Sequence, residues 1–104
     1  MLHGGDSMDD RAQMIFAADA CDPGELARRS AEIWAELMLD DAAHATLRRD
    51  GLDPPALRLS GPHPFVFEAA PGEGVRVIAQ GRDGANAEAR LDLFRVHFLR
   101  RLAA

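Results

Sequence analysis

The sequence FVFEAAPGEGVRVIA, residues 65–79, has the pattern of two strands joined by a turn. Two short runs rich in apolar and β-branched residues flank the sequence PGEG, which has the composition of a tight turn. Because side chains alternate along a strand, we expect the two runs to pair as an antiparallel hairpin with one buried face. That face would carry two phenylalanines and two valines, namely Phe65, Phe67, Val75 and Val77.

A long helix is predicted upstream of the hairpin. Asp22 can cap its first turn, Pro23 suits the first helical position, and Glu25 stands where a capping box places its acid. Apolar side chains then recur at helical spacing as far as Asp50, and Gly51 ends the pattern. The adjacent Asp40 and Asp41 fall inside the apolar stripe, at 40–41, so we favour a break there with a second helical segment over 42–50.

Two shorter segments leave alternatives open. The spacing of Met8, Ala12, Ile15 and Phe16 supports a short helix over about residues 8–20, yet a buried strand fits the same run. Residues 57–59 could form a third strand within a proline-rich connection. The first six residues carry two glycines and no pattern, so we expect a frayed start.

A last helix is expected to reach about residue 102, capped by Asp83 or Asn86. Its core stripe is Leu91, Phe94, Phe98 and Leu102. Leu93, Val96 and Leu99 lie on other sides of the same helix, which predicts a second apolar side covered by the N-terminal segment or by another subunit.

These patterns predict a single α+β domain over residues 1–104. It would contain one or two N-terminal helices, a two- or three-stranded antiparallel sheet, and a C-terminal helix packed on the sheet. The predicted core comprises Ile33, Trp34, Leu37, Phe65, Phe67, Val75, Val77, Leu91, Phe94 and Phe98.

Composition excludes several classes of function. The 104 residues carry a net charge of −5, so the whole molecule is a poor polyanion binder. Every basic side chain except histidine is Arg, which excludes mechanisms that need a catalytic lysine. No apolar run approaches the length of a membrane span and no secretory signal is visible, so we expect a cytoplasmic protein without membrane contact.

Charge is divided unevenly along the chain. Up to Ala56 there are twelve acids and five arginines, and from Leu57 onward five acids and seven arginines. We favour the interpretation that these opposite charges offset each other within the fold or between subunits. The alternative is an anion-binding face on the C-terminal half.

Two groups of residues are candidates for a chemical site. Cys21 precedes a predicted helix start, where a thiol can become reactive, but a half-buried structural cysteine is the commoner state. Carboxylates and an imidazole on one helix could hold a metal if His63 or His97 joined them, although structural roles are commoner. This second group comprises Glu36, Asp40, Asp41 and His44. We assign no catalytic, cofactor-binding or metal-binding residue and expect no cofactor.

One resemblance rests on Gly61-Pro62-His63 before the hairpin and Ala87-Glu88-Ala89 at the last helix. Over about residues 24–103 the chain resembles a double-stranded RNA-binding domain, which implies the order helix, three strands, helix. In that family a lysine-rich cluster opens the final helix and grips phosphates, and here NAEAR (86–90) replaces it. The resemblance therefore implies a shared topology, with nucleic acid an unlikely ligand.

The leading functional expectation is a non-catalytic interaction or regulatory protein that forms a dimer, or binds a protein partner, through its C-terminal helix. The first alternative is a nucleic-acid-binding module that uses the arginine-rich half. The second is a small metal- or thiol-dependent enzyme built on Cys21 or the Glu36–His44 group.

Overall fold

The structure is a computed structural model that describes residues 10–16, 22–82 and 84–103. Its elements follow the order β-α-α-α-β-β-α. They are β1 (Arg11–Phe16), α1 (Pro23–Leu39), α2 (Asp41–Arg49), α3 (Pro54–Leu57), β2 (Phe65–Ala70), β3 (Gly74–Gln80) and α4, which joins Ala87–Leu93, a π-helical turn at Phe94–Phe98, and Leu99–Ala103. The frayed start, the cysteine and the Asp83 cap expected from the sequence lie outside the described residues.

The three strands form one antiparallel sheet in the order β1-β3-β2. Val77 at the centre of β3 pairs with Met14 on one side and with Phe67 on the other. β1 and β2 are therefore parallel to each other, and α1, α2 and α3 form the crossover between them. The α+β class, the antiparallel sheet and a C-terminal helix in contact with the sheet are confirmed.

The hairpin at residues 65–79 is confirmed in both position and facing. Phe65, Val75 and Val77 are buried, and Phe67 is half-buried on the same face. Phe65 lies edge-on to Phe98 with ring centroids 5.1 Å apart, so α4 covers the inner face of the sheet through aromatic contacts.

The N-terminal segment is a strand, so the helix expected over residues 8–20 is wrong for its described part. Burial alternates along β1, with Ala12 buried and its neighbours Arg11 and Gln13 exposed. A spacing of four residues, as between Ala12 and Phe16, is a multiple of two and also close to one helical turn. That spacing therefore fitted both structures, and pairing with β3 decides in favour of the strand.

The strand that the sequence leaves open at 57–59 is not found. Pro54 and Pro55 begin the short helix α3 instead, where their missing N–H groups cost no hydrogen bond. Arg58 ends α3 in the left-handed region with φ of 50°. The sheet's remaining strand is β1, which lies N-terminal to the helices. The structure therefore does not have the order helix, three strands, helix that the RNA-binding resemblance implies.

The break in the long helix is confirmed at Asp40. Its backbone N–H donates to the carbonyl of Glu36 at 3.0 Å and closes α1, while its carboxylate accepts from Ala42 N at 2.9 Å and opens α2. At the other end of α1, the Asp22 carboxylate accepts from Glu25 N at 3.0 Å. Both predicted caps therefore form.

The core lies between the inner face of the sheet and helices α1 and α4. Trp34 contacts Phe65 edge-on, and Phe94 lies 5.3 Å from the same ring. Every predicted core residue is buried except Phe67, which is half-buried. Across the described residues, no helix has both the length and the apolarity required to traverse a bilayer.

Candidate interaction surface

In the acidic group on α1 and α2, the side chains of Glu36, Asp40 and His44 form contacts that stabilise the helices. Glu36 accepts two hydrogen bonds from Arg101, at 3.0 and 2.9 Å, and this contact lowers the pKa of its carboxyl. Asp40 caps α2, and His44 Nε2 bonds to the carbonyl of Leu37. No cluster of three or more metal-ligating side chains occurs within residues 10–16, 22–82 and 84–103.

His63 and His97, the two other candidate histidine ligands, lie in separate environments. His63 stacks beside Phe65 with centroids 6.2 Å apart, and its Nδ1 accepts from Phe65 N at 3.3 Å. Burial lowers the pKa of His63. His97 is buried in the π-helical turn of α4, 6.1 Å from the ring of Phe98. The structure therefore gives both histidines neighbours typical of a core.

The second apolar side expected on α4 is largely covered within the chain, and β1 of the N-terminal segment is one of the elements that contact this helix. Leu93 is fully buried and Leu99 is half-buried, which leaves Val96 as the exposed member at 38%. The outer side of the helix carries Arg95, which pairs with Asp92 at 2.9 Å. The wide π-helical turn places Leu93, Phe94, His97 and Phe98 all in the interior.

The arginines of the C-terminal half are mostly engaged within the fold. Arg90 is buried and donates to backbone carbonyls, and four others form ion pairs. These pairs join Arg76 to Glu68, Arg95 to Asp92, Arg100 to Asp50 and Arg101 to Glu36. Since Asp50 and Glu36 belong to the acidic half, the opposite charges of the two halves offset each other at these contacts.

The outer face of the sheet, opposite the helices, presents a mixed apolar and charged surface. We use "outer face" for the side chains at Arg11, Gln13, Ile15, Val66, Glu68, Arg76, Ile78 and Gln80. Strand pairing aligns Gln13, Ile78 and Val66 in one row and Ile15, Arg76 and Glu68 in the next. Val66 is 41% exposed and Ile15 is 38% exposed, so apolar carbon faces water at both edges.

The outer face also has a depression and an ion pair. Arg11, Gln13 and Ile78 line a shallow cavity of about 190 Å³ together with Ala12. Arg76 Nη1 lies 3.4 Å from Glu68 Oε1 across the β2–β3 pair.

Comparison of the chain with family models, curated proteins and solved structures finds no match.

The sequence contains a signal for this surface in its unbroken apolar runs. Phe65-Val66-Phe67 and Val77-Ile78 are unbroken apolar runs, whereas a strand with one wet face alternates between apolar and polar residues. Such runs place apolar side chains on both faces of the sheet, and the helices cover only the inner one.

Proposed function

We propose that this protein is a non-catalytic interaction module that self-associates through the outer face of its sheet. The observation that carries the proposal is the apolar group Ile15, Val66 and Ile78 on the side of the sheet opposite the helices. Burial of that group against a second copy would remove exposed hydrocarbon from water, which is the main favourable term in protein association.

The charges on the outer face favour a second copy of the chain as the partner. Arg76 and Glu68 give this face both signs of charge within one cross-strand pair, and the exposed Arg11 adds a further positive charge on β1. A two-fold dimer apposes the same surface on both subunits, so a face that carries both signs can satisfy its own charges across the axis. A strongly acidic or basic partner would leave one of the two side chains opposed by a like charge.

The size of the outer face predicts a weak dimer. Three strands about 4.8 Å apart, with about 3.4 Å per residue, give a footprint of about 14 by 22 Å, or roughly 300 Å². Stable interfaces bury about 800 Å² on each partner. We therefore expect an association that depends on protein concentration, with the depression beside Ile78 receiving an apolar side chain of the other subunit.

A matched pair of substitutions tests the proposal. Val66→Arg places a charge on the outer face, and Val96→Arg places the same charge on α4 at nearly equal exposure, 41% against 38%. Sedimentation velocity over a concentration series should show wild-type chain and Val96→Arg dimerising alike, and Val66→Arg remaining a monomer.

Two outcomes would contradict the proposal. A wild-type chain that stays monomeric at high concentration removes self-association altogether. Loss of the dimer in Val96→Arg, with Val66→Arg unaffected, would move the interface to the C-terminal helix. Both variants should keep the circular dichroism of the wild type, because each side chain points into solvent.

A further inference from the structure

A pocket on the helical side of the molecule lies between α2 and the segment that follows it. His44 and Arg48 line it from α2, while Arg58 and Ser60 line it from the end of α3 and the residues after it. The remaining wall is apolar and consists of Pro54, Pro55 and Leu59. Its volume is about 330 Å³, which lies in the range of small-molecule sites.

The charge of the pocket is unusual for this acidic chain. Arg48 and Arg58 are exposed, and neither forms an ion pair with an acid of the described residues. No carboxylate of the described residues lines the pocket. Arg48 and Arg58 both line the pocket, and the Arg58 guanidinium packs over Gly84, with Nη2 3.3 Å from the position that a Cβ of residue 84 would take. A guanidinium group offers up to five N–H donors and a positive charge, which is the chemistry that binds a phosphate group.

The backbone that carries Arg58 is held in a costly conformation. Arg58 has φ of 50° and is the one residue other than glycine with positive φ among the described residues. Its carbonyl accepts from Arg90 Nη2 at 3.1 Å and from Ser60 N at 2.8 Å. The buried guanidinium of Arg90 therefore fixes the position from which the Arg58 side chain starts, and such strain is concentrated at functional sites.

The contact of His44 determines what its ring can offer a ligand. Its Nε2 bonds to the carbonyl of Leu37, so in the neutral ring Nε2 carries the hydrogen and Nδ1 is an acceptor. Nδ1 of that tautomer suits a hydroxyl group of the ligand, and the two arginines suit the anion. The prolines and Leu59 suit the hydrocarbon part.

We propose that this pocket binds a small soluble phosphomonoester, whose phosphate is held by Arg48 and Arg58. The site is separate from the outer face and does not depend on self-association. A phosphomonoester is favoured over a carboxylate because its second negative charge matches the second guanidinium, and over a phosphodiester for the same reason.

Titration with phenyl phosphate tests the site, followed by amide chemical shifts in ¹⁵N-labelled protein. We expect saturable shifts around the pocket, and affinity about tenfold weaker in Arg48→Gln and in Arg58→Gly. Arg58→Gly also relieves the positive φ, so the folded state should not lose stability and weaker binding can be ascribed to the guanidinium. Arg49→Gln is the control, because Arg49 is exposed on α2 but does not line the pocket.

Three results would overturn the proposal. The first is the absence of saturable shifts in folded wild-type protein. The second is an equal loss of affinity in Arg49→Gln, which would indicate non-specific attraction to positive charge. The third is tighter, Arg58-dependent binding of a single-stranded RNA oligonucleotide than of phenyl phosphate, which would assign the pocket to a phosphodiester chain.

Discussion

Arg90 is the residue on which several elements depend. It is 2% exposed, and its guanidinium donates to the carbonyls of Leu57 at 3.2 Å, Arg58 at 3.1 Å and Gln80 at 3.2 Å. The group also lies 6.0 Å from the ring centre of Trp34. One planar fork thus ties α4 to the end of α3 and to the end of β3, a geometry that lysine cannot reproduce.

Replacement of Arg90 should therefore be costly. We expect Arg90→Leu to lower the free energy of unfolding by about 3 kcal/mol, since buried carbonyls would lose charged donors. Arg90→Lys should recover little of that loss. Arg95→Leu, on the exposed side of the same helix, should cost less than about 0.5 kcal/mol. Urea denaturation of the variants measures these differences, and equal losses at both positions would contradict the assigned role.

His97 is a buried histidine without a hydrogen-bond partner on either ring nitrogen among the described atoms. Burial lowers its pKa, and Arg101 and Arg100 lower it further. Asp50 and Glu36 raise the pKa of His97, but by less than burial and the two arginines lower it. The imidazole is therefore neutral in the folded chain near neutral pH.

A lowered pKa in the folded state makes stability depend on pH. As the pH falls below the ordinary value of 6.5, the unfolded chain takes up a proton that folded His97 resists, so the free energy of unfolding falls. His63, whose pKa is also lowered by burial, acts in the same direction. His97→Leu should therefore lose less stability than the wild type between about pH 7 and about pH 5. Parallel urea-denaturation losses in the two proteins would contradict this.

At the scale of elements, the junction between α1 and α2 depends on one side chain. Asp40 closes the first helix through its backbone and opens the second through its carboxylate. We expect Asp40→Ala to destabilise the protein by about 1 kcal/mol, the usual effect of losing an N-cap. Asp41→Ala, one position later and exposed, should cost about 0.3 kcal/mol through the helix dipole alone. Thermal denaturation measures the loss of stability in both variants. A larger loss in Asp41→Ala than in Asp40→Ala would contradict the assignment of Asp40 as the cap.

Elements with local chemistry were predictable from the sequence, and elements decided by pairing were not. The hairpin, the start of α1 and the break at Asp40 each have a turn or cap residue that specifies them. β1 has no such signal, since its apolar spacing fits two periods and only its partner β3 decides between them. The left-handed Arg58 depends on contacts from Arg90, which lies 32 positions away in the chain.

The π-helical turn of α4 explains how one helix buries apolar side chains around so much of its circumference. The Leu99 N–H bonds to the carbonyl of Phe94, five residues back, so the turn is wider than in an α-helix. In a regular α-helix Leu93 and Phe98 would point to different sides, yet both side chains are fully buried. No residue type in this segment specifies a π-helical turn, so the sequence predicts a larger exposed apolar side on α4 than the structure has.

For the whole molecule, two layers leave one side of the sheet without a described helix. The charges of the two halves meet at the surface in the ion pairs Arg100–Asp50 and Arg101–Glu36, so the contrast along the sequence does not by itself create a charged binding face. The outer face, with Ile15, Val66 and Ile78 as its apolar part, is the surface that we propose for self-association.

Chemical-shift mapping across a dilution series tests self-association through the outer face most directly. Amide and methyl resonances of ¹⁵N,¹³C-labelled protein would be compared between high and low concentration. Our account predicts concentration-dependent shifts at Ile15, Val66 and Ile78, with Val96 and Leu99 unchanged. Spectra that do not change with concentration, or changes confined to the C-terminal helix, would contradict it.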